Sequence, residues 1–167
     1  PTMLRMLLEH PDCGRRDISS LRRVPFGGAP MPPALLAQLL AVMPNATFLH
    51  SYGMTETVSS CSCLPDAWLR PARAAASKAN SIGRALFGVE LSIRDARDRD
   101  VSPGTIGEIV VRGPCVMRGY WNKEQASAEA LRGGWLHTGD LGFLDTDGFL
   151  YIVDRLKDMI IDRKSVV

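Results

Sequence analysis

Within five residues the chain places an aromatic ring, a glycine, a hydroxyl and a carboxylate, at Tyr52-Gly53-Met54-Thr55-Glu56. A tyrosine ring can stack on a flat heterocycle, and a glycine lets a ligand approach the backbone closely. Thr55 offers a hydroxyl to a phosphate oxygen. Glu56 supplies one carboxylate, which suits Mg²⁺, an ion that usually takes one or two carboxylates beside phosphate oxygens and water. Taken alone, such a loop is an ordinary turn. Two later segments carry matching chemistry. Gly134-Trp135-Leu136-His137-Thr138-Gly139-Asp140 ends on an aspartate after a glycine turn, placed just before a strand. A carboxylate held in that way can accept two hydrogen bonds from a ribose diol. Asp154-Arg155-Leu156-Lys157-Asp158 follows; by itself it is a surface salt-bridge cluster, normally worth little.

These groups need elements to position them. Met3, Leu4, Leu7 and Leu8 recur at helical spacing before Pro11, Asp12 and Gly14 break the pattern. A short apolar strand at 24–26 runs into Gly27-Gly28-Ala29-Pro30. A helix is expected from about Pro32, with Leu35, Leu36, Leu39, Leu40 and Met43 on its apolar face, and a strand from Ala46 to His50. Strand, helix and strand in that order mark a parallel α/β layer, whose ligand loops lie at the carboxyl ends of the strands. After about Leu64 the character changes. Residues 67–78 form an Ala/Arg-rich connection, and from Ser81 the chain turns β-rich, with Val89, Leu91 and Ile93 alternating and Ile106 to Val111 running back. Asn122 and Gln125 have the spacing of a capping box for a short helix ending near Leu131. Leu141 to Leu144 and Phe149 to Val153 flank an Asp145-Thr146-Asp147-Gly148 hairpin. The expected organisation is an α/β part over 1–66, a connection over 67–79, a β-rich part over 80–154, and a hinge with the start of a further domain over 155–167.

Composition narrows the class of function. The 167 residues are 46% hydrophobic and 23% charged, ordinary globular usage that excludes a disordered or collagen-like chain. The net charge is +2 and the charges are interspersed. No basic stripe with interleaved aromatics points to nucleic acid, and none is expected as a partner. No apolar run approaches the ~20 residues that span a bilayer. Cys13, Cys61, Cys63 and Cys115 contain no CxxC pair, and neither His50 nor His137 lies at finger-like spacing, so reduced thiols are expected rather than zinc ligands.

Gly27-Gly28-Ala29-Pro30, Tyr52-Gly53-Met54-Thr55-Glu56, Gly119-Tyr120-Trp121, Thr138-Gly139-Asp140 and Asp154-Arg155-Leu156-Lys157-Asp158 occur in one order. That order resembles the acyl-adenylate-forming superfamily: acyl-CoA synthetases, firefly luciferase-like enzymes and peptide-synthetase adenylation domains. The resemblance runs from Pro1 to about Ile161. Met54 and the Asp-Arg-Leu-Lys-Asp-Met-Ile wording look more like an acyl-CoA synthetase than a peptide-synthetase domain.

The resemblance implies a fold, the end of a parallel α/β subdomain followed by a small, distorted barrel-like β subdomain. It also implies roles. Gly28, Ala29 and Pro30 would edge the adenine and acyl pocket; Tyr52, with Gly53 and Met54 beside it, would stack on adenine; Thr55 would bind the α-phosphate and Glu56 hold magnesium. Asp140 would clasp the ribose hydroxyls with Arg155 assisting, Ile152 would pack near the nucleotide, and Lys157 would fall at the pivot of a mobile C-terminal domain. The implied activity is ATP-dependent ligation of a carboxylic acid to CoA. It proceeds through an acyl-adenylate with release of pyrophosphate, then AMP, and needs Mg²⁺. The implied setting is the cytoplasm or an organelle lumen.

The family's Ser/Thr/Gly-rich phosphate loop and its late lysine do not occur in these 167 residues, and Asp162-Arg163-Lys164-Ser165-Val166-Val167 departs from the family's small residue and glycine pair. With proline at position 1, the chain reads as an internal fragment, expected to be inactive alone and to bind AMP or ATP weakly at best. The alternatives are a fragment of a peptide-synthetase adenylation domain and a short non-catalytic protein that binds a nucleotide or a partner. Gly27, His50 and Thr57 are candidates for the end of the acyl pocket, and they do not separate a fatty acid from an aromatic one. His50 equally fits a satisfied histidine at a strand end.

Overall fold

The computed structural model describes residues 1–70 and 78–156. Lys157, the expected pivot, lies outside them.

The parallel pair anticipated from the apolar runs is present. Strand β1 (Arg23–Gly27) pairs in parallel with β2 (Thr47–Tyr52), joined by helix α2 (Pro33–Val42). Pro32 and Pro33 suit the start of α2 because a first-turn amide has no helical partner to lose. Leu35, Leu39 and Met43 are buried against Val24, Phe26 and Phe48 of the two strands, while Leu36 and Leu40 flank them. Helix α1 (Thr2–Glu9) lays Leu4 and Leu8 on this core and leaves Met3 and Met6 exposed. Two short strands extend the sheet antiparallel, β3 (Ser62–Pro65) on β2 and β4 (Arg84–Ala85) on β3. Neither is visible as an apolar run, since β3 pairs a buried serine with Cys63 and a proline, and β4 is only two residues long.

The second sheet is an antiparallel meander of β5 (Glu90–Arg94), β6 (Gly107–Arg112), β7 (Leu136–Leu144) and β8 (Leu150–Arg155). It is open, not a closed barrel: no pairing joins β5 to β8 among the described residues. The 145–148 turn joins β7 to β8 as a hairpin, with the Asp145 carboxylate accepting from the amides of Asp147 and Phe149.

Helix α3 (Glu124–Ala130) corrects the capping-box expectation. It starts two residues after Asn122, which has a positive φ of 53°, and Lys123 at the N-cap makes no side-chain cap. Ser127 instead ties the turn, donating to the Lys123 carbonyl and accepting the Tyr120 amide.

The two sheets share cores. Phe149, from the hairpin of the second sheet, sits in the cluster around α2, and Tyr52, from the end of β2, sits in the cluster formed by Ile93, Ile109, Val111 and Leu136. Between them the Ile82 amide donates to Leu150, and the Leu150 amide to Gly83, both at 2.8 Å. This interlocking places the carboxyl ends of β1 and β2 beside the β7–β8 edge.

Candidate functional site

A cleft of about 690 Å³ opens where these two edges meet. Gly28, Ala29 and Pro30 reach it from the loop after β1. Tyr52 and Gly53 reach it from the end of β2, Asp140 from β7, and Ile152 and Arg155 from β8. Residues up to 127 apart in sequence therefore face one space because each lies at a strand end, or at a strand irregularity, on the same side.

Asp140 stands at the junction of the sheets. It lies inside β7 rather than in a loop before a strand, a correction to the expectation from sequence. The irregularity that turns it inward is a bulge: Val110 opposes His137, the next partner pair is Glu108 and Leu141, and Thr138, Gly139 and Asp140 bow out between them. Gly139 has φ +73°, and a Cβ there would meet nothing within 4 Å. Its glycine answers a backbone requirement, not a lack of space. The Asp140 side chain is only 6% exposed. Its Oδ2 accepts the Tyr52 hydroxyl at 2.6 Å and its Oδ1 accepts Arg155 Nε at 2.9 Å. Burial first, and then the hydrogen bond to Asp140, push the Tyr52 phenol far above its ordinary range, so it remains the donor. The Tyr52–Asp140 bond joins β2 of one sheet to β7 of the other.

Gly53 serves the protein before any ligand. A Cβ at this position would lie 1.6 Å from the Ser59 carbonyl oxygen, so the residue is glycine to admit the 59–60 backbone. Met54, Thr55 and Glu56 continue past the cleft lining into a single 3₁₀ turn over Thr55–Thr57. Met54 packs beside the second core, and Thr55 is exposed. The Glu56 carboxylate accepts the Tyr120 hydroxyl at 2.7 Å, and its backbone carbonyl accepts the Met117 amide at 2.8 Å. The bond from the Tyr120 hydroxyl to the Glu56 carboxylate is the main cause of a raised Tyr120 phenol pKa. The Gly119-Tyr120-Trp121 motif, which had no assigned role, thus straps the loop before α3 to the carboxylate turn. Among the described residues no three His, Cys, Asp or Glu side chains gather to cage a metal. Glu56 with a nearby exposed hydroxyl fits an ion that takes most of its oxygens from phosphates and water, as Mg²⁺ does.

The three acyl-pocket candidates separate. His50 lines the cleft, stacked on Phe26 with ring centroids 4.7 Å apart. Burial lowers its pKa, partly opposed by a hydrogen bond to the Ser81 backbone. Thr57 does not line it: its side chain is fully buried and its hydroxyl is bound to Met54 and Ser59. Gly27 faces a shallower neighbouring hollow with Ser51 and Ser59.

A family model described as AMP-binding enzyme matches residues 1–121. The chain belongs to the AMP-binding enzyme family. It is 40% identical over 161 residues to a fatty acid–[acyl-carrier-protein] ligase of Streptomyces coeruleorubidus, covering 96% of this chain and 30% of the relative. It is 46% identical over 147 residues to a 2-succinylbenzoate–CoA ligase of Bacillus mycoides, covering 86% and 28%. The O-succinylbenzoate CoA synthetase of Bacillus subtilis, solved with ATP and magnesium, superimposes with a TM-score of 0.83 at 38% identity, over 99% of this chain and 32% of that one. The chain thus spans about three-tenths of the length of the relatives it matches. AMP-binding relatives are acyl-adenylate-forming ligases, and the mixed α/β fold with two sheets is that of their N-terminal domains.

Proposed function

We propose that these residues carry the AMP half of the active site of an ATP-dependent carboxylic acid–CoA ligase. The observation that carries the proposal is the convergence of four separated segments on one cleft whose wall holds the buried Asp140 carboxylate. Adenine lies between the Gly28–Pro30 backbone and the Tyr52 ring. The two Asp140 oxygens receive the ribose hydroxyls, with the exposed Arg155 guanidinium assisting beside them. Tyr52 keeps the carboxylate oriented from below. Thr55 lies past the cleft on the phosphate side and donates to the α-phosphate. Glu56, held in place by Tyr120, would hold Mg²⁺; its second oxygen has no hydrogen-bond partner among the described residues.

In the reaction an acid carboxylate attacks the α-phosphorus, pyrophosphate leaves, and the thiol of CoA then displaces AMP from the acyl-adenylate. The residues here align and neutralise rather than transfer protons, so their contribution is proximity and charge stabilisation. Magnesium, when bound, offsets the charge on the phosphate oxygens. Relatives name both CoA and an acyl-carrier protein as acceptor; the Met54 and Asp154–Ile161 wording favours CoA. The acid is not specified by His50 alone. Because the phosphate loop and the late lysine do not occur in the 167 residues, the chain by itself is expected to bind AMP without forming acyl-CoA.

The test is an NMR titration of the chain with AMP and, separately, GMP. Saturable AMP binding, with shifts at Tyr52 and Asp140 and a weaker response to GMP, is expected. Equal responses to both, or none, would remove the adenine assignment.

A further inference from the structure

Behind the Asp140 bulge lies a polar cluster that the nucleotide reading does not use. Where one β6 residue faces Thr138, Gly139 and Asp140, the bowed-out amides lose their ladder partners, and a buried amide without a partner is costly. Two side chains meet them. The Glu108 carboxylate accepts the Gly139 amide at 3.1 Å. The Thr138 hydroxyl accepts the Asp140 amide at 3.1 Å and donates to the Ile109 carbonyl at 2.7 Å. Glu108 is anchored in turn. Its Oε2 lies 2.8 Å from His137 Nδ1 and 3.0 Å from the Arg132 guanidinium, with the His137 side chain 3% exposed. A charged acceptor facing a backbone amide makes a stronger bond than a neutral one. Here it falls on the residue whose positive φ defines the bulge.

We infer that Glu108 is a positioning residue for Asp140. Together with Thr138 it locks the bulge so that the Asp140 carboxylate points into the cleft, where it meets Tyr52 and Arg155. Its consequence for ligand binding rests on the reading of Asp140 as the ribose anchor; its geometric part does not. Glu108 does not line the cleft, and its hydrogen bonds go to Arg132, His137 and the Gly139 amide, so its effect must pass through the backbone of 138–140.

The experiment follows the Asp140 carboxyl ¹³C signal and the Gly139 and Asp140 amides by NMR in the 167-residue chain, with AMP as probe. E108A and T138V are expected to move all three signals and to weaken AMP binding by about tenfold. E108Q retains an acceptor for Gly139, and His137 can adopt the tautomer that accepts from the new amide; it is expected to stay within about threefold of the parent. In a D140A background E108A should change AMP binding by less than about twofold, since a residue acting only through Asp140 has nothing left to position. T138V is nearly isosteric and decides the matter if E108A does not fold. Unmoved Asp140 signals in folded E108A and T138V overturn the inference, as does an undiminished E108A effect in the D140A background. If the signals move as expected while D140A leaves AMP binding intact, Glu108 keeps its positioning role and the ribose assignment alone falls.

Discussion

At the scale of single residues, the site is built around a carboxylate that the protein already satisfies twice. Tyr52→Phe would leave Asp140 Oδ2 buried without its donor, and loss of a hydrogen bond to a buried charged group costs about 1–3 kcal/mol. Urea denaturation should show that loss, and a value near zero would mean the cross-sheet bond contributes nothing. His50 supplies a pH dependence. Its folded pKa lies below the unfolded value, so near and below pH 6.5 the unfolded chain binds the extra proton first. Its contribution is complete above that pH and is lost as pH falls. Cys61 works from the other side: burial pushes its thiol from 9 up to about 12. Between those values the unfolded chain gives up the proton that the folded one keeps, and stability falls as pH rises. Denaturation midpoints measured across pH should therefore decline on both flanks, with H50Q flattening the acid side and C61A the alkaline side. Side-chain chemistry marked Tyr52, Glu56 and Asp140 as candidates in the sequence, whereas Arg155 stood out only through the family resemblance. Their partners Tyr120 and Glu108 were not so marked, because their contacts lie 64 and 31 residues away in sequence. A glutamate inside the apolar 106–111 run was the available signal for one of them.

At the scale of elements, two glycines beside the site, Gly53 and Gly139, occupy their positions for different reasons, and substitution separates them. Gly53→Ala drives a methyl into the Ser59 backbone, which must shift; a loss of at least about 2 kcal/mol is expected. Gly139→Ala meets open space and suffers only the left-handed backbone, about 1–2 kcal/mol. The reverse order in a thermal or urea series would contradict the close approach at Gly53. Helix α2 gives the packing counterpart. Leu39 is fully buried between β1, β2 and the helix, so Leu39→Ala should cost about 2–5 kcal/mol. The elements with strong periodicity, α2, β1, β2 and the β7–β8 hairpin, could be drawn from the sequence. Those without it could not. Strand β3 carries a serine and a proline, β4 is two residues long, and the Asp140 bulge breaks the alternation that would have marked β7 from Leu136 onward.

At the scale of the whole molecule, the cleft exists because two sheets exchange core residues, Phe149 inward to one cluster and Tyr52 to the other. The family is established over most of the chain, yet the chain spans about three-tenths of the relatives it matches. The five motifs in order made the family legible, and the fold then followed from it more surely than from periodicity. The central claim is that Asp140 anchors an AMP ribose. It is tested most directly by a cycle of affinities for AMP and 2′-deoxy-AMP, measured by calorimetry or NMR on the parent chain and on D140A. The account predicts that the parent prefers AMP by about tenfold, the worth of one hydrogen bond to a charged acceptor, and that D140A abolishes the preference. A preference that survives D140A, or a parent chain indifferent to the 2′-hydroxyl, would contradict it.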